Sequence, residues 1–380
     1  MSIQLRDMLE EASKNDTLPG VIAYNRIDGP GSSLDLPEFQ QSLWSMPQMP
    51  ADIEADQAMK WTRRLPRTIG ITIDTGTKIE AHSFDSDLIA VQSMDYGTEV
   101  RGKSGAVPPT KENWLLKILD SFGLTGVKFV LRNLRSGTLS SGLGGSATAA
   151  TGVCVLANEL AGRPFSHAQL IPMASRMEQY SGVSLTGAQE QSNVIYGGVV
   201  DYIWFPWGIP GQPGTGYGES IRTELIRPED YRELERRMAI FHTGRIHLST
   251  DTNSVWMDAL MTPEGYKLHA GKLEVAYLFR EGLRLRRWEQ IFDSIQAYRE
   301  IRTTLCPEYM SGAEEISALA GVRKCASFPL GAGGGGGVLV YCADPESLQA
   351  LRFDIQDTYM EIPFRIRSSG HQLINLPCYE

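Results

Sequence analysis

The stretch Leu139–Thr151 reads LSSGLGGSATAAT, and no other segment constrains the fold of this chain as tightly. It follows an apolar run, Gly126–Leu131 (GVKFVL), that predicts a strand. It precedes Ala149–Leu160, small and apolar residues that predict a helix. Strand, glycine loop and helix start together suit phosphate binding. Glycines let the backbone approach a ligand and take positive φ. The first helical turn offers unpaired N–H groups at the positive end of the helix dipole. Ser141 and Ser146 add hydroxyls at positions fit for a metal ion or a phosphate oxygen.

The loop is not a GxxxxGK[ST] phosphate loop, because no lysine follows its glycines. Gly142, Gly144 and Ala147 satisfy the dinucleotide pattern G-x-G-x-x-A. That fold, however, needs a second strand ending in an acidic residue about 20 positions on, where SHAQLIPMASRMEQY predicts a helix. A glycine turn that only tightens strand-to-helix packing is the third possibility, and residues 139–151 alone leave it open.

With 380 residues and 42% hydrophobic content, the chain can bury the cores of two lobes. A net charge of −9 and the lack of a long basic run argue against nucleic acid as a partner. No apolar stretch approaches the roughly 20 residues that span a bilayer. The start, MSIQLRDMLEEASKND, lacks the apolar core of a secretory signal, so a cytoplasmic protein with no membrane partner is expected. Five cysteines, none in a CxxC pair, predict reduced thiols rather than disulfides or zinc.

Along the chain, residues 1–18 predict an amphipathic helix, and 68–82 and 88–100 predict strands of an antiparallel sheet. Residues 38–66 read as an irregular insertion. Helices are predicted over 113–122, 166–180, 187–196, 272–302 and 345–359, and strands over 199–205 and 239–243. Residues 206–220 read as a Gly- and Pro-rich loop. The elements alternate without a regular βαβ rhythm, so the fold class is α+β.

Several segments, in order, resemble the GHMP kinases, in the sugar-kinase branch that includes heptose 7-phosphate kinases and fucokinases. SSGLGGSATAA is similar to the second signature, P-x-x-x-G-L-G-S-S-A-A. IAYNRIDGPGSSLDLPEF (22–39) resembles the first, R-I-S-F-G-G-G-G-T-D-L-P. GAGGGGGVLVYC (331–342) resembles the third. TGAQEQSNVIYGGVVDY (186–202) and FHTGRIHLST (241–250) match two further segments.

The resemblance implies a two-lobe fold. An N-terminal lobe (1–205), with a mixed or antiparallel sheet and the phosphate loop, would join a ferredoxin-like C-terminal lobe (206–380). It implies ATP and Mg²⁺, and transfer of phosphate to a sugar or sugar phosphate, at the anomeric hydroxyl. Ser140, Ser141, Gly142, Leu143, Gly144, Gly145 and Ser146 would cradle the triphosphate. Ser146 and Glu178 would hold the metal. Asp35, Gly187, Gln189 and His247 would contact the sugar, with His242 a further candidate. Glu190 and Arg26 would serve catalysis, Arg26 through a salt bridge or a substrate phosphate. Glu178 also reads as a solvated helix residue, and Asp35 as a turn cap. The run Gly331–Gly337 would pack against the phosphate loop.

The chain departs from the family pattern at four places. Glu190 stands where the catalytic residue is an aspartate. Pro30-Gly31-Ser32-Ser33 replaces a glycine cluster. His247 replaces an arginine, and an insertion follows Pro37. These departures point to an unusual substrate, or to a nucleotide- and sugar-binding protein that has lost turnover.

Overall fold

A 17-residue strand, Arg67–Ser83, forms the spine of the first lobe. Its first seven residues are buried on both faces, and only towards Ser83 does burial alternate along the strand. The computed structural model describes residues 2–43, 63–135, 141–205, 219–245 and 249–376. The first lobe runs α1 (Ser2–Lys14), β1 (Gly20–Asp28), α2 (Pro37–Leu43), β2 (Arg67–Ser83), β3 (Leu88–Ser93) and β4 (Thr98–Lys103). It continues through α3 (Trp114–Asp120), β5 (Val127–Asn133), α4 (Gly145–Leu160), α5 (His167–Tyr180), α6 (Gln189–Tyr196), β6 (Val199–Trp204) and β7 (Ser220–Ile226). The second lobe holds α7 (Tyr231–Glu235), β8 (Met238–His242), α8 (Ser249–Leu260), α9 (Pro263–Leu285), α10 (Trp288–Leu305) and α11 (Glu314–Val322). After these come β9 (Ala326–Pro329), β10 (Gly337–Tyr341), α12 (Pro345–Ile355) and β11 (Met360–Glu361). Finally β12 (His371–Ile374) returns to the first sheet.

The first sheet has the order β12-β1-β2-β5-β3-β4, with β6 and β7 added beside the first half of β2. It is mixed, because β3 and β5 run parallel while its other pairs are antiparallel. The second sheet is antiparallel, with order β11-β8-β10-β9. Its strands and helices follow β-α-β-β-α-β, the ferredoxin-like arrangement. The α+β class and the two-lobe fold are as the sequence predicts. An apolar core joins the lobes: Ile27, Ile69 and Ile71 of the first sheet meet Ile240, Phe328 and Leu339 of the second. β7 and β12 belong to the first sheet although both lie beyond residue 205, so the expected boundary there is crossed twice.

α4 is buried almost all round, which its Ala, Gly and Thr content permits. A Cβ on Gly152 would stand 2.7 Å from Ile79 of β2, so the small residue sets how closely helix and sheet approach. Three sequence expectations are corrected. Residues 88–100 are a hairpin, β3 and β4, that turns at Gly97 (φ 62°). The predicted helix 272–302 is two antiparallel helices, α9 and α10, because Arg286 takes the left-handed conformation (φ 54°) and Gly282 lets Ile291 pack against the turn. Cys325 and Cys342, expected as thiols, form a disulfide. Ala326 pairs with Tyr341 across β9 and β10, and the next pair out is these two cysteines, with Cα atoms 4.4 Å apart. Cys154 and Cys306 are free and buried; Cys378 lies outside the described residues.

Of the expected insertion, Pro37–Leu43 is helical, and 44–62 lies outside the described residues. Phe39 and Leu43 of α2 pack among Trp256, Leu260, Leu273 and Tyr309 of the second lobe. Most of the expected loop 206–220 is likewise outside them. Among the described residues, no helix is long and apolar enough to cross a membrane.

Candidate functional site

A cleft of about 490 Å³ opens where the glycine loop, α6, the end of β1 and the start of α2 converge. The loop is built from backbone. Gly142 and Gly144 both take positive φ, 74° and 76°. Gly144 is the N-cap of α4 and supplies no side chain. The first intrahelical bond runs from Thr148 N–H to the Gly144 carbonyl, 2.9 Å. The N–H groups of Gly145, Ser146 and Ala147 therefore precede the helical ladder, as an anion site requires. A Cβ on Gly145 would meet open space, so the serine of the resemblance would fit there.

The third signature holds the loop from behind. Gly337 N–H donates to the Ser141 carbonyl, 3.0 Å. A Cβ on Gly142 would lie 2.6 Å from the Leu330 carbonyl oxygen, and one on Gly331 would lie 3.1 Å from Gly142 Cα. These glycines are present for close backbone approach, the role expected of the run Gly331–Gly337.

Arg26 organises the floor. Its guanidinium donates to the Gly142 carbonyl (3.1 Å), pairs with Asp28 through Nε (2.5 Å) and pairs with Glu190 through Nη2. Burial works against its charge, but Asp28 and Glu190 more than offset that, and Arg26 stays charged. Burial, reinforced by Glu190 and Asp35, pushes Asp28 up to about 7 against the pull of Arg26. Glu190 lies in the first turn of α6, where the helix dipole favours a carboxylate. A Cβ on Gly144 would stand 3.0 Å from Glu190 Cγ and 3.2 Å from Arg26 Cζ, so the phosphate loop and the catalytic candidates touch.

Asp35 is 3% exposed and faces the same cleft. Its Oδ2 accepts the Gln189 N–H, 3.0 Å, so it also anchors the start of α6. A Cβ on Gly187 would collide with this carboxylate at 1.9 Å, which is why glycine stands there. Gln189 lines the cleft, but its side-chain amide is committed to the Ile69 carbonyl, 3.1 Å.

Glu178 is fully buried on α5 rather than solvated. Gln191 of α6 donates to its Oε2, 2.9 Å, while Oε1 has no partner. Burial raises its pKa to about 8, against hydrogen bonding from Ser146 and Gln191. A buried carboxylate oxygen without a donor, beside the Ser146 hydroxyl at the N-terminus of α4, fits Mg²⁺, which takes one or two protein oxygens and keeps its waters. Among the described residues, no cluster of three or more His, Cys, Asp or Glu side chains is arranged for a metal.

Ser140 and His247 lie outside the described residues. His242 is on β8, where Nδ1 accepts the Gly244 N–H, 3.0 Å, and it does not line the cleft. The sequence did not single out Val91, Tyr96, Trp114 and Leu131, which also line the cleft, among polar neighbours such as Ser93, Asp95 and Asn133. Nor did it single out Lys272, Trp256 and Arg302, which stand behind Ser32 and Ser33.

Residues 113–198, from the start of α3 to the end of α6, match the family described as the GHMP kinases N terminal domain. No curated protein matches the sequence. Solved structures match across both lobes. A Lin0012 protein from Listeria innocua superposes with a TM-score of 0.70 at 14% identity, covering 93% of this chain and 99% of its own. Streptococcus pneumoniae phosphomevalonate kinase, solved with phosphomevalonate and AMPPNP, gives 0.65 at 12% identity over 92% and 99%. A D-glycero-D-manno-heptose 1-phosphate kinase from Bacteriodes thetaiotaomicron gives 0.62 at 14% identity over 96% and 100%. At these identities the likeness is one of fold.

Proposed function

We propose, for a chain that carries a GHMP kinase N-terminal domain within the two-lobe GHMP-kinase fold, an ATP- and Mg²⁺-dependent kinase acting on a sugar or sugar phosphate, at its anomeric hydroxyl. One observation carries this reading. Gly144 of the phosphate loop is in van der Waals reach of both Glu190 and Arg26, and Asp35 anchors the helix that bears Glu190. Phosphoryl transfer asks a protein mainly to position groups and neutralise charge. The N–H groups at the start of α4 hold phosphate oxygens. Ser146 and Glu178 would hold Mg²⁺, which when bound would supply positive charge to neutralise the transferring phosphate. Asp35 accepts hydrogen bonds from sugar hydroxyls. Glu190 orients the attacking hydroxyl and takes up its proton, and Arg26 fixes Glu190 against the loop.

ADP release with a panel of sugars and sugar phosphates tests the reading, and product analysis identifies the hydroxyl. Glu190→Gln should lower kcat about 100-fold or more while nucleotide affinity stays within about twofold; unchanged kcat removes Glu190 from the mechanism. A binding protein without turnover is the second reading, favoured by the engagement of Glu190 with Arg26. It expects nucleotide binding with no ADP release from any acceptor. Higher activity in Glu190→Asp would mark the glutamate as an impairing replacement in a working kinase.

A further inference from the structure

Two buried cations stand behind the cleft without a carboxylate. Lys272 on α9 and Arg302 on α10 are both fully buried, and among the described residues neither has an acidic group within ion-pair distance. The nearby acids are engaged: Asp28 pairs with Arg26, and Asp35 accepts from Gln189. Each cation instead donates to a serine that lines the cleft. Lys272 Nζ reaches Ser33 Oγ at 3.3 Å, and Arg302 Nη1 reaches Ser32 Oγ at 2.7 Å. Arg302 also donates to the Tyr298 hydroxyl, which shares a hydrogen bond with Ser32, 2.7 Å away. A hydroxyl has one proton and two lone pairs. Ser32 and Ser33 each spend a lone pair on the basic group behind them, which leaves the Ser33 proton to point into the cleft. Trp256, in the same wall, has a buried indole N–H without a partner.

The arrangement is two hydroxyls backed by an arginine and a lysine, beside an unused N–H, and it calls for an anion. Behind the cleft it adjoins the glycine loop, since Arg302 also donates to the Gly331 carbonyl, 2.8 Å, and Gly331 packs on Gly142. Ser33 lies two residues before Asp35, and Lys272 sits over the rings of Phe39 and Trp256, 5.6 and 5.1 Å from their centroids. Ser32 and Ser33 are also the residues that replace the glycine cluster of the resemblance, and glycines would give the cations no hydroxyl to act through. Burial and then Arg302 draw the Lys272 pKa well below its ordinary value, so an anion bound nearby would restore its charge.

We infer that Ser32 and Ser33, backed by Arg302 and Lys272, form an anion pocket at the acceptor end of the cleft, so that the molecule phosphorylated already carries a phosphate or a carboxylate. The word acceptor rests on the kinase reading; the anion pocket does not.

The test uses the full chain saturated with Mg²⁺ and AMPPNP, so that the glycine loop is filled. Inorganic phosphate is titrated by calorimetry. Mannose is then compared with mannose 6-phosphate, and galactose with galacturonate, by binding and by ADP release with ATP. Phosphate should bind the nucleotide-loaded protein. The charged member of a pair should have a KM about 10- to 100-fold below its neutral partner, the worth of a charge-assisted hydrogen bond, and the preferred pair identifies the anion. Ser33→Ala and Lys272→Met should each weaken phosphate about tenfold or more while AMPPNP affinity holds. Phosphate that binds only without nucleotide overturns the inference, because the loop is then the anion site. Neutral and charged acceptors used alike also overturn it, as does phosphate affinity indifferent to Ser33→Ala. If Lys272→Met does not fold, the two serine-to-alanine variants decide. Absence of AMPPNP binding, or of ADP release with every acceptor, defeats the kinase reading instead, and the phosphate titration still reports on the pocket.

Discussion

Burial, and after it the charge of Glu190, lifts the Asp35 carboxyl to about 7 in the folded protein. Its unfolded value is near 4. A raised folded pKa means stability that is complete below about pH 4 and is lost as pH rises through about 7. Asp35→Asn should therefore raise the Tm of the ligand-free protein at pH 8, by the equivalent of a few kcal/mol, and the gain should vanish near pH 4. The same change should cut kcat/KM for the acceptor about 10- to 100-fold with little effect on nucleotide affinity. Thermal melts across pH and steady-state kinetics check both halves; equal losses for both ligands would indicate general damage to the lobe. Asp35 was legible because it sits in a contiguous motif, Leu-Asp-Leu-Pro, and Arg26 and Glu190 were legible for the same reason. Lys272 and Arg302 were not. A lysine or arginine on a helix ordinarily faces water or snorkels toward it, and here Phe39 of α2 and Trp256 of α8 dock over these two, with Tyr309 also over Arg302.

At the level of elements, the glycine loop was the most legible feature, because its chemistry is written in consecutive residues. Gly144→Val should weaken nucleotide binding about 100-fold or more. Its φ of 76° is strained for a branched side chain, and its Cβ would press on Glu190 and Arg26. Nucleotide titration of the folded variant is the check, and wild-type affinity would remove the loop from the site. A second variant probes the metal. Glu178→Gln should weaken binding of Mg²⁺-AMPPNP far more than of AMPPNP with EDTA; equal effects on both would make Glu178 a core carboxyl only. The sequence read α9 and α10 as one helix, since the turn between them carries neither glycine nor proline: Arg286 takes the left-handed role itself. Period and composition report which faces are apolar, whereas the point of reversal is set by what packs across it.

The molecule as a whole is bound together more closely than two sequential halves. The cysteine expectation failed because strand register, not sequence spacing, brings Cys325 opposite Cys342. Closing a loop of this length is worth about 3 kcal/mol, so reductant should lower the unfolding free energy by that much and move the denaturation midpoint down accordingly. Nucleotide affinity should not change, because the bridge lies at the end of β9 away from Leu330, the residue that touches Gly142. A midpoint indifferent to reductant would mean the bridge does not form. The path of the chain after β11 matters more for the cleft. Ile366 bridges Ile73, and Tyr24 N–H donates to the Gly370 carbonyl. His371–Ile374 then completes the edge of the first sheet at β1. A Cβ on Gly370 would lie 2.0 Å from the Asn193 carbonyl oxygen, so this segment is pressed against α6, the helix of Glu190. A polypeptide is made in one direction. Glu190 leaves the ribosome long before Gly370, on the order of ten to thirty seconds earlier at ordinary rates of synthesis. Throughout that interval the first lobe has an open edge at β1 and α6 lacks its backing, so the nascent chain waits, its cleft incomplete, until its second lobe has been made.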